Sequence, residues 1–167
     1  QGPALVVAPT SVCGNWLREA ERFAPGLRSV VYGALSDAER KALAPGPGDL
    51  VLVSYGLLVR EIDRLAGRSF ATAIFDEAQA LKNPQTARAQ AARRIDAPVR
   101  FALSGTPLEN HLGELWSLFR IVMPGLLGSS ERFRERFALP IERGDAGRRR
   151  ALANVLRPFL LRRSKVE

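Results

Sequence analysis

Five short apolar runs mark the first two thirds of the chain, at residues 4–8, 29–32, 50–54, 72–75 and 100–103. Two of them, Leu5-Val6-Val7 and Leu50-Val51-Leu52-Val53, are continuous rather than alternating. A strand that is apolar on both sides belongs in a sheet covered on both faces, which is the usual setting of parallel strands. Helical spacings lie between the runs. Trp16, Ala20 and Phe23 recur at four and three residues, Leu58, Ile62 and Leu65 mark a further helix, and residues 85–95 form another, rich in Ala and Arg. Ser36 with Glu39 makes a capping box ahead of its helix. Residues 44–48, Ala-Pro-Gly-Pro-Gly, form a loop, because Pro and Gly there deny a regular element its hydrogen bonds and backbone angles. Strands alternating with helices predict an α/β fold with an open, mostly parallel sheet and right-handed crossovers.

The pattern changes after Leu103. Leu112, Leu115, Trp116, Phe119 and Val122 line one helical stripe that Pro124-Gly125 stops. Ser129 or Ser130 can cap a following helix carrying Phe133 and Phe137 on one face. Residues 108–167 read as a helical, basic extension of an α/β core at 1–107.

A chain of 167 residues is long enough for one domain with a sizeable core. Apolar residues make up 46% and charged residues 25%, which places it among globular proteins rather than disordered ones. No apolar run approaches the roughly 20 residues that span a bilayer, so no membrane partner is expected. No secretory leader is visible, and the abrupt entry from Gln1-Gly2-Pro3 into an apolar run reads as a piece of a longer protein. One cysteine, Cys13, excludes an intrachain disulfide, and with a single His it excludes a tetrahedral zinc site of nitrogen and sulfur ligands. The net charge of +8 and the pI of about 10.9 make nucleic acid a candidate partner. Arg outnumbers Lys 22 to 3, and Ala, Gly and Pro are abundant. That composition suggests a GC-rich, bacterial source, and the location expected is cytoplasmic.

Three loops carry candidate chemistry. The apolar run 72–75 ends in Asp76-Glu77-Ala78-Gln79. Ligands of parallel α/β sheets sit beyond the carboxyl ends of the strands. Adjacent acids there can divide their labour: Asp76 can hold Mg²⁺, usually through water, and Glu77 can orient or deprotonate water attacking a γ-phosphate. Ser104-Gly105-Thr106-Pro107 follows another run, and its small hydroxyl residues can approach a phosphate or the acidic pair. Pro9-Thr10-Ser11 follows the first run, where Thr10 or Ser11 can cap a helix whose free amides face a nucleic-acid phosphate. The plain alternatives are two solvated acids at a strand end, an ordinary turn and a simple helix cap.

Taken in order, these segments resemble the Swi/Snf-type ATPases of helicase superfamily two. Residues 4–25 are similar to motif Ia, with Leu5-Val6-Val7-Ala8-Pro9-Thr10-Ser11 and Asn15-Trp16. Val51-Leu52-Val53-Ser54-Tyr55 resembles the next nucleic-acid motif. Asp76-Glu77-Ala78-Gln79 with Leu81-Lys82-Asn83 resembles the DEAD/DEAH-type motif II. Leu103 to Asn110 with Glu114-Leu115-Trp116-Ser117-Leu118 resembles motif III and its helix. Pro124-Gly125-Leu126-Leu127-Gly128 and Arg157-Pro158-Phe159-Leu160-Leu161-Arg162-Arg163 complete the set.

The resemblance implies a RecA-like lobe of a double-stranded DNA translocase that uses ATP and Mg²⁺ to remodel or displace DNA-bound proteins. Asp76 would coordinate Mg²⁺, Glu77 would be the catalytic base, and Gln79 would sense the γ-phosphate. Ser104, Gly105 and Thr106 would couple hydrolysis to lobe movement. Pro9, Thr10, Ser11, Ser54, Tyr55 and Lys82 would lie along the DNA, and Arg162 with Arg163 would hinge to a second RecA-like lobe.

A phosphate-binding loop needs Gly-x-x-x-x-Gly-Lys-Ser/Thr, and no Gly-Lys pair occurs here. The resemblance therefore implies a lobe without its phosphate-loop strand and helix, inactive by itself. It further implies an unpaired edge at run 100–103, open to pairing with another chain. An RNA-directed ATPase of the same superfamily and a non-catalytic nucleic-acid-binding or scaffold domain are the competing readings.

Overall fold

The computed structural model describes residues 2–105 and 112–162. The chain divides into two compact units, Gln1–Leu126 and Leu127–Glu167.

The first unit is built on five parallel strands: β1 (Ala4–Ala8), β2 (Arg28–Val31), β3 (Asp49–Ser54), β4 (Thr72–Phe75) and β5 (Val99–Ala102). Their order is β2-β3-β1-β4-β5. The two continuous apolar runs occupy β1 and β3, interior strands that bury both their faces. Leu5, Val7, Val51 and Val53 point into one core, and Val6, Ala8, Leu50 and Leu52 into another. Each of these valine and leucine side chains contributes about 1.5–3 kcal/mol on burial.

Helices cover both faces. α1 (Thr10–Phe23) lays Val12, Cys13, Trp16, Leu17 and Ala20 on the Val6 side. The other side takes Leu57 and Leu58 of α3 (Tyr55–Arg60), Leu65 of α4 (Ile62–Ala66), Ala89, Ala91 and Ala92 of α5 (Ala87–Arg94), and Leu118 and Ile121 of α6 (Leu112–Val122). The short helix Asp37–Ala42 carries the complete Ser36–Glu39 capping box.

Three details differ from the sequence expectations. The helix expected through Leu58, Ile62 and Leu65 is two helices, offset at Glu61, whose backbone leaves the helical region. Glu61 there pairs with Arg64 at 3.1 Å and with Arg40, distant along the chain, at 3.7 Å. The helix expected over 85–95 begins only after Thr86, whose hydroxyl accepts the Ala89 N–H. β2, β3 and β5 each start one residue early, and β2 and β5 also end one residue early. Arg28 is drawn into β2 because its guanidinium reaches Asp49 on the neighbouring strand.

β5 forms the edge of the sheet, and among the described residues only β4 pairs with it. Val99, Phe101 and Leu103 are 46%, 52% and 42% exposed there, so the edge expected to be open is also apolar. Arg100 anchors the strand by donating to the carbonyls of Ile95, Ala97 and Ile121. The last of these satisfies the carboxyl end of α6.

The second unit is helical. Ser129 caps Ser130–Phe133, and the helix runs on through a π-helical turn, Arg134–Ala138, into Leu139–Glu142. Pro140 removes one rung of the α-helical ladder just after the wider turn. Phe133 and Phe137 bury together, with ring centroids 5.8 Å apart. A further helix, Ala146–Leu156, is capped by Asp145. Residues 127–167 hold eleven of the 25 basic residues and five of the 17 acidic ones, so most of the excess positive charge lies there. Among the described residues no helix is long and apolar enough to cross a membrane.

Arg28 and Asp49 open β2 and β3 in register, with Nε and Nη2 donating to the two carboxylate oxygens at 2.7 Å each. The Gly46 N–H donates to the same carboxylate. These bonds hold the Asp49 carboxyl down to about 2. Its stabilisation is complete above the ordinary carboxylate range and is lost as pH falls towards 2. Asp49→Asn is expected to lower stability by about 1 kcal/mol at neutral pH. The variant's stability should also vary less than the parent's between pH 4 and 2, as read by denaturant titration at each pH.

Candidate functional site

The candidate residues gather at the carboxyl ends of β1, β3, β4 and β5 because all of these strands run the same way. Pro9-Thr10-Ser11 leaves β1, Ser54-Tyr55 leaves β3, Asp76 to Gln79 leave β4, and Ser104-Gly105 leave β5.

Asp76 is held at every polar atom. Its N–H donates to the Val7 carbonyl of β1 at 2.8 Å, and its carbonyl accepts the Tyr55 hydroxyl at 2.8 Å. One carboxylate oxygen accepts the Glu77 N–H and the other accepts the Trp16 indole N–H, both at 2.8 Å. Tyr55 is buried, and burial, with Asp76 as the second cause, pushes its phenol well above the ordinary range. The phenol thus stays a donor across all physiological pH.

Glu77 follows in the left-handed region, at φ 47° and ψ 50°. Among the described residues it is the one non-glycine residue with positive φ. Such a conformation costs on the order of 1–3 kcal/mol and persists where the surroundings over-determine it. Here Asp76 fixes the residue before it, and the Ala78 N–H donating to the Leu103 carbonyl fixes the residue after it. The Glu77 carboxylate accepts from the Gln79 amide, and the Gln79 carbonyl oxygen accepts from the Ser104 hydroxyl at 3.0 Å. A hydrogen-bonded chain thus joins the loop after β5 to the second acid of β4. Gly105 is exposed, with open space where a Cβ would stand. Thr106 lies outside the described residues.

The first turn of α1 differs from the sequence expectation. Neither Thr10 nor Ser11 caps it. The capping position is Pro9, whose carbonyl accepts from the Val12 and Cys13 N–H groups and from the Cys13 thiol, and among the described residues no side chain caps the turn. Thr10 and Ser11 are exposed in that turn, where backbone N–H groups lack intrahelical acceptors. The Ser54 hydroxyl is taken as the cap of α3, accepting the Leu57 N–H. Lys82 reaches Glu114 of α6 at 3.1 Å, and both side chains are partly exposed. Ser117 of the same helix donates to the Leu81 carbonyl, which fastens the turn Ala78–Leu81 beneath the acids.

A cleft of about 380 Å³ opens beside the acids, lined in part by Pro9, Thr10, Glu77, Gln79 and Arg88. Two residues to which sequence reasoning gave no role at the acids enter this region: Arg88 of α5 on the cleft wall, and Trp16, which reaches Asp76 from sixty positions away. Spacing gives no sign of either. Trp16 reads as one more apolar position on the α1 stripe.

The donor set suits Mg²⁺. This ion keeps several waters and takes one or two carboxylates beside substrate phosphates, and Asp76 offers an oriented carboxylate of that kind. Among the described residues no three or more His, Cys, Asp or Glu side chains gather into an all-protein cation cage.

Comparison with known proteins gives a consistent result. The pattern of the SNF2-related domain matches residues 1–167. The YwqA protein of Bacillus subtilis is 43% identical over 166 residues, which is 98% of this chain and 18% of that protein. The ISWI chromatin-remodeling complex ATPase CHR17 of Arabidopsis thaliana is 36% identical over 168 residues, 98% of this chain and 16% of that protein. The Sulfolobus solfataricus SWI2/SNF2 ATPase core solved in complex with dsDNA superposes with a TM-score of 0.87 at 39% identity. That match covers 99% of this chain and 34% of the other. The chain thus spans under a fifth of these two curated relatives and about a third of the solved core.

Tyr55→Phe removes the donor to the Asp76 carbonyl and leaves a buried acceptor unpaired. The expected cost is about 1–2 kcal/mol. That is a fall of roughly 2–4 °C or more in the unfolding midpoint, read by thermal melts of parent and variant.

Proposed function

The chain belongs to the SNF2-related family, and on that premise we propose that it forms part of the ATPase motor of a double-stranded DNA translocase. The relatives include ATPases of chromatin-remodeling complexes, and the lobe shares the RecA-like fold of the SWI2/SNF2 ATPase core. The observation that carries the reading is the strand-end acidic pair, with Asp76 bonded at every polar atom and Glu77 held left-handed beside it.

In this reading ATP is the substrate, and water attacks its γ-phosphorus to give ADP and inorganic phosphate. Glu77 accepts the proton of that water, and the Gln79 amide orients the Glu77 carboxylate. Asp76 holds Mg²⁺, which supplies charge neutralisation at the phosphates when bound. Gln79 also senses the γ-phosphate. Ser104 and Thr106 pass its state to the second RecA-like lobe, with the Ser104–Gln79–Glu77 chain as the first step. Backbone amides at Thr10 and Ser11 face DNA phosphates, and Ser54, Tyr55 and Lys82 shape the loops beside them. Such contacts are blind to sequence and steeply dependent on salt. The work is the displacement or remodelling of a DNA-bound protein, at the nucleoid if the source is bacterial.

The test is ATP hydrolysis by the full-length protein with no nucleic acid, single-stranded DNA, duplex DNA and duplex RNA in turn. Duplex DNA is expected to stimulate most, and Glu77→Gln to lower kcat by about 10²–10⁴-fold. Greatest stimulation by duplex RNA would move the substrate to RNA, and no hydrolysis under any condition would leave a binding or scaffold domain. The 167-residue chain alone, which has no Gly-Lys phosphate loop, is expected to hydrolyse no ATP in the same assay.

A further inference from the structure

Trp16 stands in the second turn of α1, packed on the sheet core of Val6, Ala8, Leu50 and Leu52. Its indole N–H donates to Asp76 Oδ2 at 2.8 Å, across sixty residues of sequence. Among the described residues the other carboxylate oxygen is held only by the backbone N–H of the next residue. The terminal torsion of an Asp side chain is broad and two-fold, so one local bond leaves the carboxylate free to swing. A second donor on the opposite oxygen, carried by a ring packed against the sheet, removes that freedom.

We infer that Trp16 is the positioning residue that aims the Asp76 carboxylate at a divalent cation. The inference rests on Asp76 being a metal ligand, as proposed above. Indole suits the task chemically. It carries one donor and no acceptor, so it orients the carboxylate without offering a competing ligand. Its apolar body keeps the donor fixed by packing. The remaining lone pairs of both oxygens stay available to a cation or to its bound water.

The experiment uses the full-length protein and manganese(II) as the probe, with free Mn²⁺ read by electron paramagnetic resonance beside a non-hydrolysable ATP analogue. Duplex-DNA affinity without metal and the thermal midpoint are measured in parallel. Trp16→Phe is expected to weaken Mn²⁺ binding about tenfold or more while metal-free DNA affinity stays unchanged, because outer partners of metal ligands typically carry effects of that size. Asp76→Asn is expected to weaken Mn²⁺ binding at least as far. Unchanged Mn²⁺ affinity in Trp16→Phe, beside a loss in Asp76→Asn, overturns the inference and leaves the metal reading standing. Unchanged affinity in both variants overturns the two together. Mn²⁺ and metal-free DNA affinities that fall in step mark a general distortion of α1 and also overturn it.

Discussion

The site depends on the fixation of Asp76. Its backbone N–H belongs to the sheet, its carbonyl to a buried phenol, and its two carboxylate oxygens to an indole and to the next amide. Three of those partners come from β1, α1 and α3, segments distant from Asp76 along the chain, and the fourth is the amide of the next residue. A carboxylate so held cannot rotate to suit a passing cation, so whatever binds must meet it in that orientation. This is preorganisation in the ordinary electrostatic sense, with the reorganisation done during folding.

The strained Glu77 follows from the same frame. A left-handed non-glycine residue survives only between fixed neighbours. β4 fixes the residue before it, and the bond from Ala78 to the Leu103 carbonyl fixes the residue after it. The turn Ala78–Leu81 is in turn fastened by Ser117 of α6, whose apolar face joins the sheet core through Leu118 and Ile121. Packing energy at the back of the sheet therefore holds a conformational cost at its front. The Ser104–Gln79–Glu77 chain lies across that front, so a displacement of the loop after β5 reaches the second acid through two hydrogen bonds.

The two units differ in character. Gln1–Leu126 carries the sheet and the acids, and its net charge is small. Leu127–Glu167 carries most of the excess positive charge on short helices whose arginines are exposed where described. The acids stand on strand ends, where hydrogen bonds fix their geometry, whereas the excess positive charge stands on a small helical unit with few buried anchors such as Phe133 and Phe137.

The strand count, the parallel sheet and the clustering of motifs at one edge were legible in the sequence. Continuous apolar runs and acids at a strand end are local signals, and a parallel sheet turns them into one surface by direction alone. The capping box at Ser36 and the stop after Val122 were legible for the same reason, since each is settled within a few residues, and the cap left open between Ser129 and Ser130 falls on Ser129. The break at Glu61, the Arg28–Asp49 pair, the burial of the Tyr55 phenol and the bond from Trp16 to Asp76 were not. The last three join residues whose separation along the chain carries no period, so they exist only once strands β1 to β4 lie side by side. The sequence by itself determined which residue types could do the chemistry. Tertiary structure decided which way they face, because hydrogen bonds fix direction only between groups that packing has already brought within reach.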